Sequence, residues 1–396
     1  MFIVHRLFNI MKPKLLRITT VPVSLKTLLK GQHRFMSQNG FDVVGVSSKG
    51  TALNYVERGK GIRVVELEMT RTFSPLKDLK ALWSFYRLCR KERPMIVHSH
   101  TPKAGIVGML GAKLAGVPNQ LHTVAGMPLM VTSGAKRWVL DVVEKITYGC
   151  ATRVYPNSKG LYDFIRKGGY APERKVKVIA EGSSNGIDTG FFNPEVIPQG
   201  ERDRLKMDLG IGPEDFVMVF VGRMVGDKGV NELVGAFERL RQRVSTSCKL
   251  LLVGSQEQEL DPLEQVTLEA IRGNGDIIAV GHQSDVRPYF AISDALVFPS
   301  YREGFPNVVM QAAAMGLPSI VTDINGCNEI ISGGVNGLLV TPKDVNALTG
   351  AMEFLLQDPA EVDRMAKNAR PLITSRYEQQ VVWEAILEEY RGLMGR

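Results

Sequence analysis

Apolar positions along this chain follow two alternating patterns. Short runs rich in Val, Ile and Leu lack a polar residue at every second place, which predicts strands buried on both faces of a parallel sheet. Between them, longer stretches repeat apolar residues three and four positions apart, which predicts amphipathic helices. In the first half the runs that read as strands are 15–20, 42–47, 63–67, 95–98, 119–124, 152–156 and 176–179. In the second half they are 216–221, 249–253, 276–280, 295–298, 319–322 and 337–340. Repeated βα units of this kind predict an α/β fold with doubly wound, Rossmann-like sheets.

Glycines and prolines in 186–200 (GIDTGFFNPEVIPQG) interrupt both periodicities and mark a connector. The expected division is therefore a domain over 1–192, a second over 193–376, and a C-terminal helix over 377–396, after a strand-free segment at 372–377. A chain of 396 residues exceeds what one core comfortably holds, so two domains facing across a cleft are expected.

Composition narrows the class. The chain is 44% hydrophobic and 23% charged, the balance of an ordinary globular protein. Cys89, Cys150, Cys248 and Cys327 lie far apart with no CxxC pair, which argues against a zinc site or a disulfide framework and fits a reducing cytoplasm. No apolar run approaches the ~20 residues that span a bilayer. The opening MFIVHRLFNI reads as a start-site artefact ahead of Met11 or as a small apolar anchor, not as a secretory signal.

Net charge changes the picture further. The total of +8 divides into +17 over residues 1–200 and −9 over 201–396. A basic half attracts polyanions. Its cations, such as Lys77, Lys80, Arg87, Arg90, Lys91 and Arg93, are not interleaved with base-stacking aromatics, so an anionic membrane surface is expected ahead of nucleic acid.

Candidate chemistry gathers where runs end. In YREGFPNVVMQAAAMG a strand turns through Glu303, Gly304 and Phe305 into a helix, with Pro306 in its first turn. Amides of Phe305, Asn307 and Val308 would face an anion such as a diphosphate. Glu303 would accept from sugar hydroxyls, and Gln311, about two turns along, could reach a ribose. In VFVGRMVGDKGV, Gly222 allows close backbone approach, and Arg223 and Lys228 place two cations at the sheet edge, where open α/β sheets bind ligands.

The first half offers VHSHTPKAG and LHTVAGMP. His98 and His100 share a strand face but lack a carboxylate or cysteine to complete a metal site, so His98 reads as a satisfied core residue. His122 is expected at a strand tip facing the cleft. Ala104, Gly105, Gly108, Gly111, Ala112 and Ala115 share a helix face and suit close helix-to-sheet packing. No GxGxxG follows a strand and no GxxxxGK[ST] occurs, which disfavours nicotinamide and P-loop chemistry. No Asp-any-Asp occurs either, so no metal is expected at the donor.

Together these segments resemble family 4 of the retaining glycosyltransferases, of GT-B architecture, over nearly the whole chain. Glu303 to Gln311 resembles the family's E-x7-E motif, GRMVGDKG its diphosphate clamp, and VHSHTPKAG with LHTVAG its acceptor-domain signatures. KGQHRFMSQNGFDV and DINGCNEII resemble transferases that assemble bacterial capsule, exopolysaccharide or lipopolysaccharide units. The resemblance implies a metal-independent hexosyl- or N-acetylhexosaminyltransferase with a nucleotide-sugar co-substrate, UDP-linked by expectation, and an undecaprenyl-diphosphate-linked or glycan acceptor. It implies a peripheral position on the inner face of the membrane. Glu303 would contact the donor sugar, Arg223 and Lys228 the diphosphate, and His122 the reacting sugar or acceptor. Gln311 departs from the family's second glutamate, keeping a carbonyl acceptor without the charge, and the family's glycine-rich first loop is replaced by TTVPVSLKTLLKGQ. A GT-B-type nucleotide-sugar epimerase and a non-catalytic binding protein of the same fold stay open as alternatives.

Overall fold

The computed structural model describes residues 12–53, 56, 62–70, 74–130, 132–257 and 261–395. Both readings of the opening ten residues, and Met11, lie outside them. The chain divides into two compact units. The first comprises residues to Asn157, Leu161–Asn185 and the chain from Val382; the second comprises Ser158–Gly160 and Gly186–Val381. The main passage from one to the other thus falls at Asn185 and Gly186, ahead of the Asn193 expected from the connector.

The first unit holds a six-stranded parallel sheet of β1 (Lys14–Ile18), β2 (Asp42–Ser47), β3 (Arg63–Glu66), β4 (Ile96–Ser99), β5 (Asn119–Val124) and β6 (Arg153–Pro156). Its order is β3-β2-β1-β4-β5-β6. The second unit repeats the pattern with β7 (Phe216–Val221), β8 (Cys248–Val253), β9 (Ile277–Gly281), β10 (Ala295–Phe298), β11 (Ser319–Thr322) and β12 (Gly337–Val340), ordered β12-β11-β10-β7-β8-β9. Counted from its own first strand, each sheet has the doubly wound order 3-2-1-4-5-6. Central strands such as β7 and β8 are buried almost throughout, whereas the edge strands β3, β9 and β12 are only partly covered. Helices on both faces explain the unbroken apolar runs of the inner strands.

One expectation is corrected. The run 176–179 is no strand: Val176 makes a single parallel bridge to Val154, and the chain then turns, with Gly182 N–H donating to Ile179 O and Ala180 and Ser183 at positive φ. Residues 372–377 are free of strand as expected and form the end of helix Pro359–Tyr377, which carries Pro371 within it. A second helix, Gln379–Met394, follows.

From Val382 on, that last helix belongs to the first unit. Trp383 packs on Phe35 and its indole N–H donates to Asn185 Oδ1 at 2.8 Å. Gly31, at φ +82°, lies so close beneath that a Cβ there would sit 2.4 Å from the Trp383 ring. Only glycine meets both demands.

Candidate functional site

In an open parallel sheet whose strand order reverses, the loops leaving the two strands at the reversal run to opposite faces and leave a crevice beyond their carboxyl ends. In the second unit those strands are β7 and β10. The loops after them are 222–229 and 299–306, which fall in the two segments singled out in the sequence.

The loops are laced together. Tyr301 N–H donates to Asp227 O at 3.0 Å, and Arg302 pairs with Asp227 at 2.9 Å. Lys228 Nζ meets Glu303 Oε1 at 2.5 Å, with each side chain only 16% exposed. Ser300 Oγ donates to the same carboxylate oxygen at 2.8 Å. Lys228 also lies 5.8 Å from the Phe298 ring centroid. From the loop after β11, the Asn325 amide donates to the carbonyls of Glu303 at 3.0 Å and Gly304 at 2.7 Å. Gly326, at φ +78°, backs onto Gly304 so closely that a Cβ would fall 2.4 Å from its carbonyl oxygen.

Lys228, Glu303 and Gly304 are therefore together, held by Ser300 and Asn325. Sequence reasoning missed those two. A usable signal existed for Asn325, in a loop that follows a neighbouring strand at the same sheet edge. Arg223 is placed differently: its guanidinium pairs with Glu257 at 2.9 Å and is 49% exposed. Gly222 is packed from behind, its carbonyl oxygen only 1.7 Å from where a Cβ on Gly254 would sit.

Helix Asn307–Ala314 begins one residue later than expected, with Pro306 as its N-cap. The amides of a first turn have no acceptor within their own helix, so those of Asn307 and Val308 are open to an anion. The Phe305 ring is buried and packs edge-on against Tyr377, with centroids 5.2 Å apart. Gln311 lies half-buried along the same helix. Cys327, behind Glu303, is fully buried, and burial pushes its thiol well above the usual range, which keeps it unreactive. Among the described residues, no group of three or more His, Cys, Asp or Glu side chains could hold a metal ion.

In the first unit the expected placement of His122 is corrected. It lies within β5, short of its tip, and is only 3% exposed. Its ring faces helix Pro102–Leu114, where a Cβ on Gly105 would come within 2.7 Å. Nδ1 meets Ser99 Oγ at 2.8 Å. Its ring is thus packed between strand and helix. Gly108 and Gly111 make similarly close approaches to Ile18 and Phe85, each 3.0 Å from an added Cβ. His98 is satisfied on both ring nitrogens, by Tyr390 Oη at 2.6 Å and Thr123 Oγ1 at 2.7 Å.

These histidines predict an acid response. Burial pushes the His122 imidazole down to about 4. His98 is held well below its ordinary range by burial and then by the Arg17 charge, and His100 by burial, His98 and Arg17. All three are neutral in the folded state at neutral pH, while the unfolded chain protonates them near 6.5. The stabilisation is complete above about pH 6.5 and is lost as pH falls towards 4, because the unfolded chain then binds more protons. His122 alone is worth roughly 2 kcal/mol between pH 7.5 and 5. The urea midpoint should fall accordingly between those pH values; an unchanged midpoint would contradict the buried neutral imidazoles.

Residues 215–358 match the family described as glycosyl transferases group 1, and residues 32–182 match the glycosyl transferase 4-like domain. The chain is 32% identical over 381 residues to the capsular polysaccharide biosynthesis glycosyltransferase CapM of Staphylococcus aureus, covering 96% of this chain and 97% of that protein. It is 27% identical over 310 residues, 78% of each chain, to the UDP-Gal:alpha-D-GlcNAc-diphosphoundecaprenol alpha-1,3-galactosyltransferase of Escherichia coli. In fold it resembles Anabaena HepE, crystallised with UDP, with a TM-score of 0.77 at 18% identity over 96% of this chain and 100% of that one.

Proposed function

The chain belongs to the group 1 glycosyl transferases and has the GT-B architecture, and from that premise we propose that it moves a sugar from a UDP-sugar to an undecaprenyl-diphosphate-linked or growing surface-polysaccharide acceptor, with retention at the anomeric carbon. The observation that carries the reading is the Lys228–Glu303 pair at the strand-order reversal of the second sheet. The Escherichia coli relative names both a UDP-sugar and a diphosphoundecaprenol-linked acceptor.

In this mechanism the donor diphosphate draws Lys228 away from Glu303 and is met by the first-turn amides of Asn307 and Val308, with Phe305 N–H and Gly304 beside them. Arg223 leaves Glu257 to join it, and Gly222 lets the backbone come near. Glu303, relieved of its lysine, accepts from sugar hydroxyls. Gln311 accepts from the ribose through its amide oxygen. As the bond from the anomeric carbon to the β-phosphate oxygen breaks, its electron pair leaves with the diphosphate. That oxygen takes the proton of the acceptor hydroxyl while the acceptor oxygen bonds to the same face of the sugar. The protein's part is position and charge, without a metal.

Purified protein in EDTA, given UDP-, GDP- and ADP-sugars with an undecaprenyl-diphosphate-linked acceptor, tests this reading. Release of UDP from one UDP-sugar, tied to a product of retained configuration, supports it. Tight donor binding without turnover would favour a non-catalytic binding protein.

We also place the first unit on the cytoplasmic face of an anionic membrane. Helix Pro75–Glu92 buries Ala81, Phe85 and Cys89 but exposes Leu76, Leu79 and Trp83 on its other face, among Lys77, Lys80 and Arg87. Apolar anchors set among cations suit an anionic lipid surface, where each basic residue contributes about 1 kcal/mol. Anionic vesicles should bind the protein at least about tenfold better than neutral ones, and Trp83→Ser should weaken that binding. Equal partition into both vesicle types would refute the placement.

A further inference from the structure

Arg17 sits in β1, at the middle of the first sheet, and is fully buried. A guanidinium keeps its proton at any pH at which the protein is folded. One terminal nitrogen donates to Gln32 Oε1 and the other to Tyr390 Oη at 2.9 Å, while Nε has no partner. Among the described residues no Asp or Glu pairs with it; the phenol of Tyr390 is the group whose charge acts on it. Tyr390 does not answer that charge, because burial pushes its hydroxyl above the ordinary phenol range. A buried cation without a counter-charge is among the costliest things a core can hold.

Beside it is a small polar pocket, lined among others by Gln32, His98, His100, Thr123, Asn157 and Ser184, with room for one water-sized occupant. His100 is only 4% exposed, and neither of its ring nitrogens has a partner. Ser184 Oγ and Asn157 Oδ1 are also buried without partners. A neutral imidazole has one N–H to give, Ser184 an O–H, and a half-turn of the Asn157 amide presents its NH2. The Arg17 charge reaches this space, since it acts on both His98 and His100. A water molecule there would satisfy the hydrogen bonds but leave the charge unanswered.

We propose that this pocket binds one monovalent anion of chloride size, held by His100 and Ser184 as the counter-ion of Arg17. The site is independent of the sugar-transfer reading. Ile386 lines the pocket, and Tyr390 links Arg17 to His98. Both belong to helix Gln379–Met394, so the anion strengthens the seat of that helix on the first unit. Sulfate and gluconate exceed the space.

Thermal unfolding of the full chain at constant ionic strength, with sodium chloride or bromide replacing sodium gluconate, tests the site. The expected result is a saturable rise in Tm with halide, and an anomalous peak within hydrogen-bonding distance of His100 in crystals grown with bromide. Arg17→Met should abolish the halide dependence. In case that variant does not fold, Ser184→Ala, which keeps the arginine, should move the dependence to higher halide concentration. Equal Tm in chloride and gluconate, or no bromide peak in the pocket, would overturn the proposal and leave a water there.

Discussion

Replacing either Lys228 or Glu303 by alanine is expected to lower kcat/KM for sugar transfer by about 10²- to 10³-fold, the range for removing one preorganised charged group from a transition state. The two side chains meet at 2.5 Å and each is mostly buried, so each fixes the other's position before substrate arrives. Removing the lysine takes away the charge that would meet the departing diphosphate. Removing the glutamate would take away the proposed acceptor for sugar hydroxyls and leave the lysine without its partner. Because they act as a unit, the double variant should lose little more than either single one. Lys228→Arg should keep part of the rate. Steady-state release of nucleotide diphosphate, with and without acceptor, measures all four. A loss below about threefold for either alanine variant would mean that this pair is only a surface tie between two loops. Circular dichroism of the same variants should show the fold intact, since Ser300 still reaches Glu303 and Tyr301 still reaches Asp227 when Lys228 is gone.

How much of this was legible beforehand depended on the range of the physics involved. Apolar runs such as those of β7, β8 and β10 announce buried strands through composition alone, and twelve of the thirteen expected strands formed. The exception, 176–179, has strand composition but turns away after one bridge, because Ala180 and Ser183 adopt positive φ. The loops that follow strands in the second half were located for the same reason that strands were. Partners were not. Lys228 and Glu303 are 75 positions apart, and His98 and Tyr390 are 292 apart; only the order of strands in the sheet decides which loops meet. His122 shows the converse error. Its place in a strand was read correctly, but the glycine that covers its ring lies on a helix seventeen residues earlier, so the ring is packed inside the unit and does not stand open at a strand tip. Arg17 gave no signal, since a lone arginine in an apolar run looks like an edge residue until the sheet places it at the centre.

Gly229→Ala should destabilise the second unit by about 4 kcal/mol, among the larger effects of any single substitution. Gly229 adopts φ +70°, and a Cβ there would lie 2.1 Å from the carbonyl oxygen of Pro299 and 3.0 Å from its ring. The left-handed conformation costs an alanine about 1–2 kcal/mol, and the contact adds to it because the obstacle is backbone that cannot rotate aside. Pro299 directly follows β10 and precedes Ser300, so yielding there moves the residue that holds Glu303. With about 2–4 °C per kcal/mol for a unit of this size, Tm should fall by roughly 8–16 °C. Gly235, six residues on within helix Val230–Arg243, supplies the contrast: its added Cβ would meet only Val345, at 4.0 Å. Alanine there should stabilise by roughly 0.5–1 kcal/mol, through helix propensity and a less free unfolded chain. Two identical substitutions in one segment are thus expected to have opposite signs. If Gly229→Ala melted as the parent does, the loop after β10 would have slack, and the close fit that sets Lys228 against Glu303 would have to come from Ser300 and Asn325 alone.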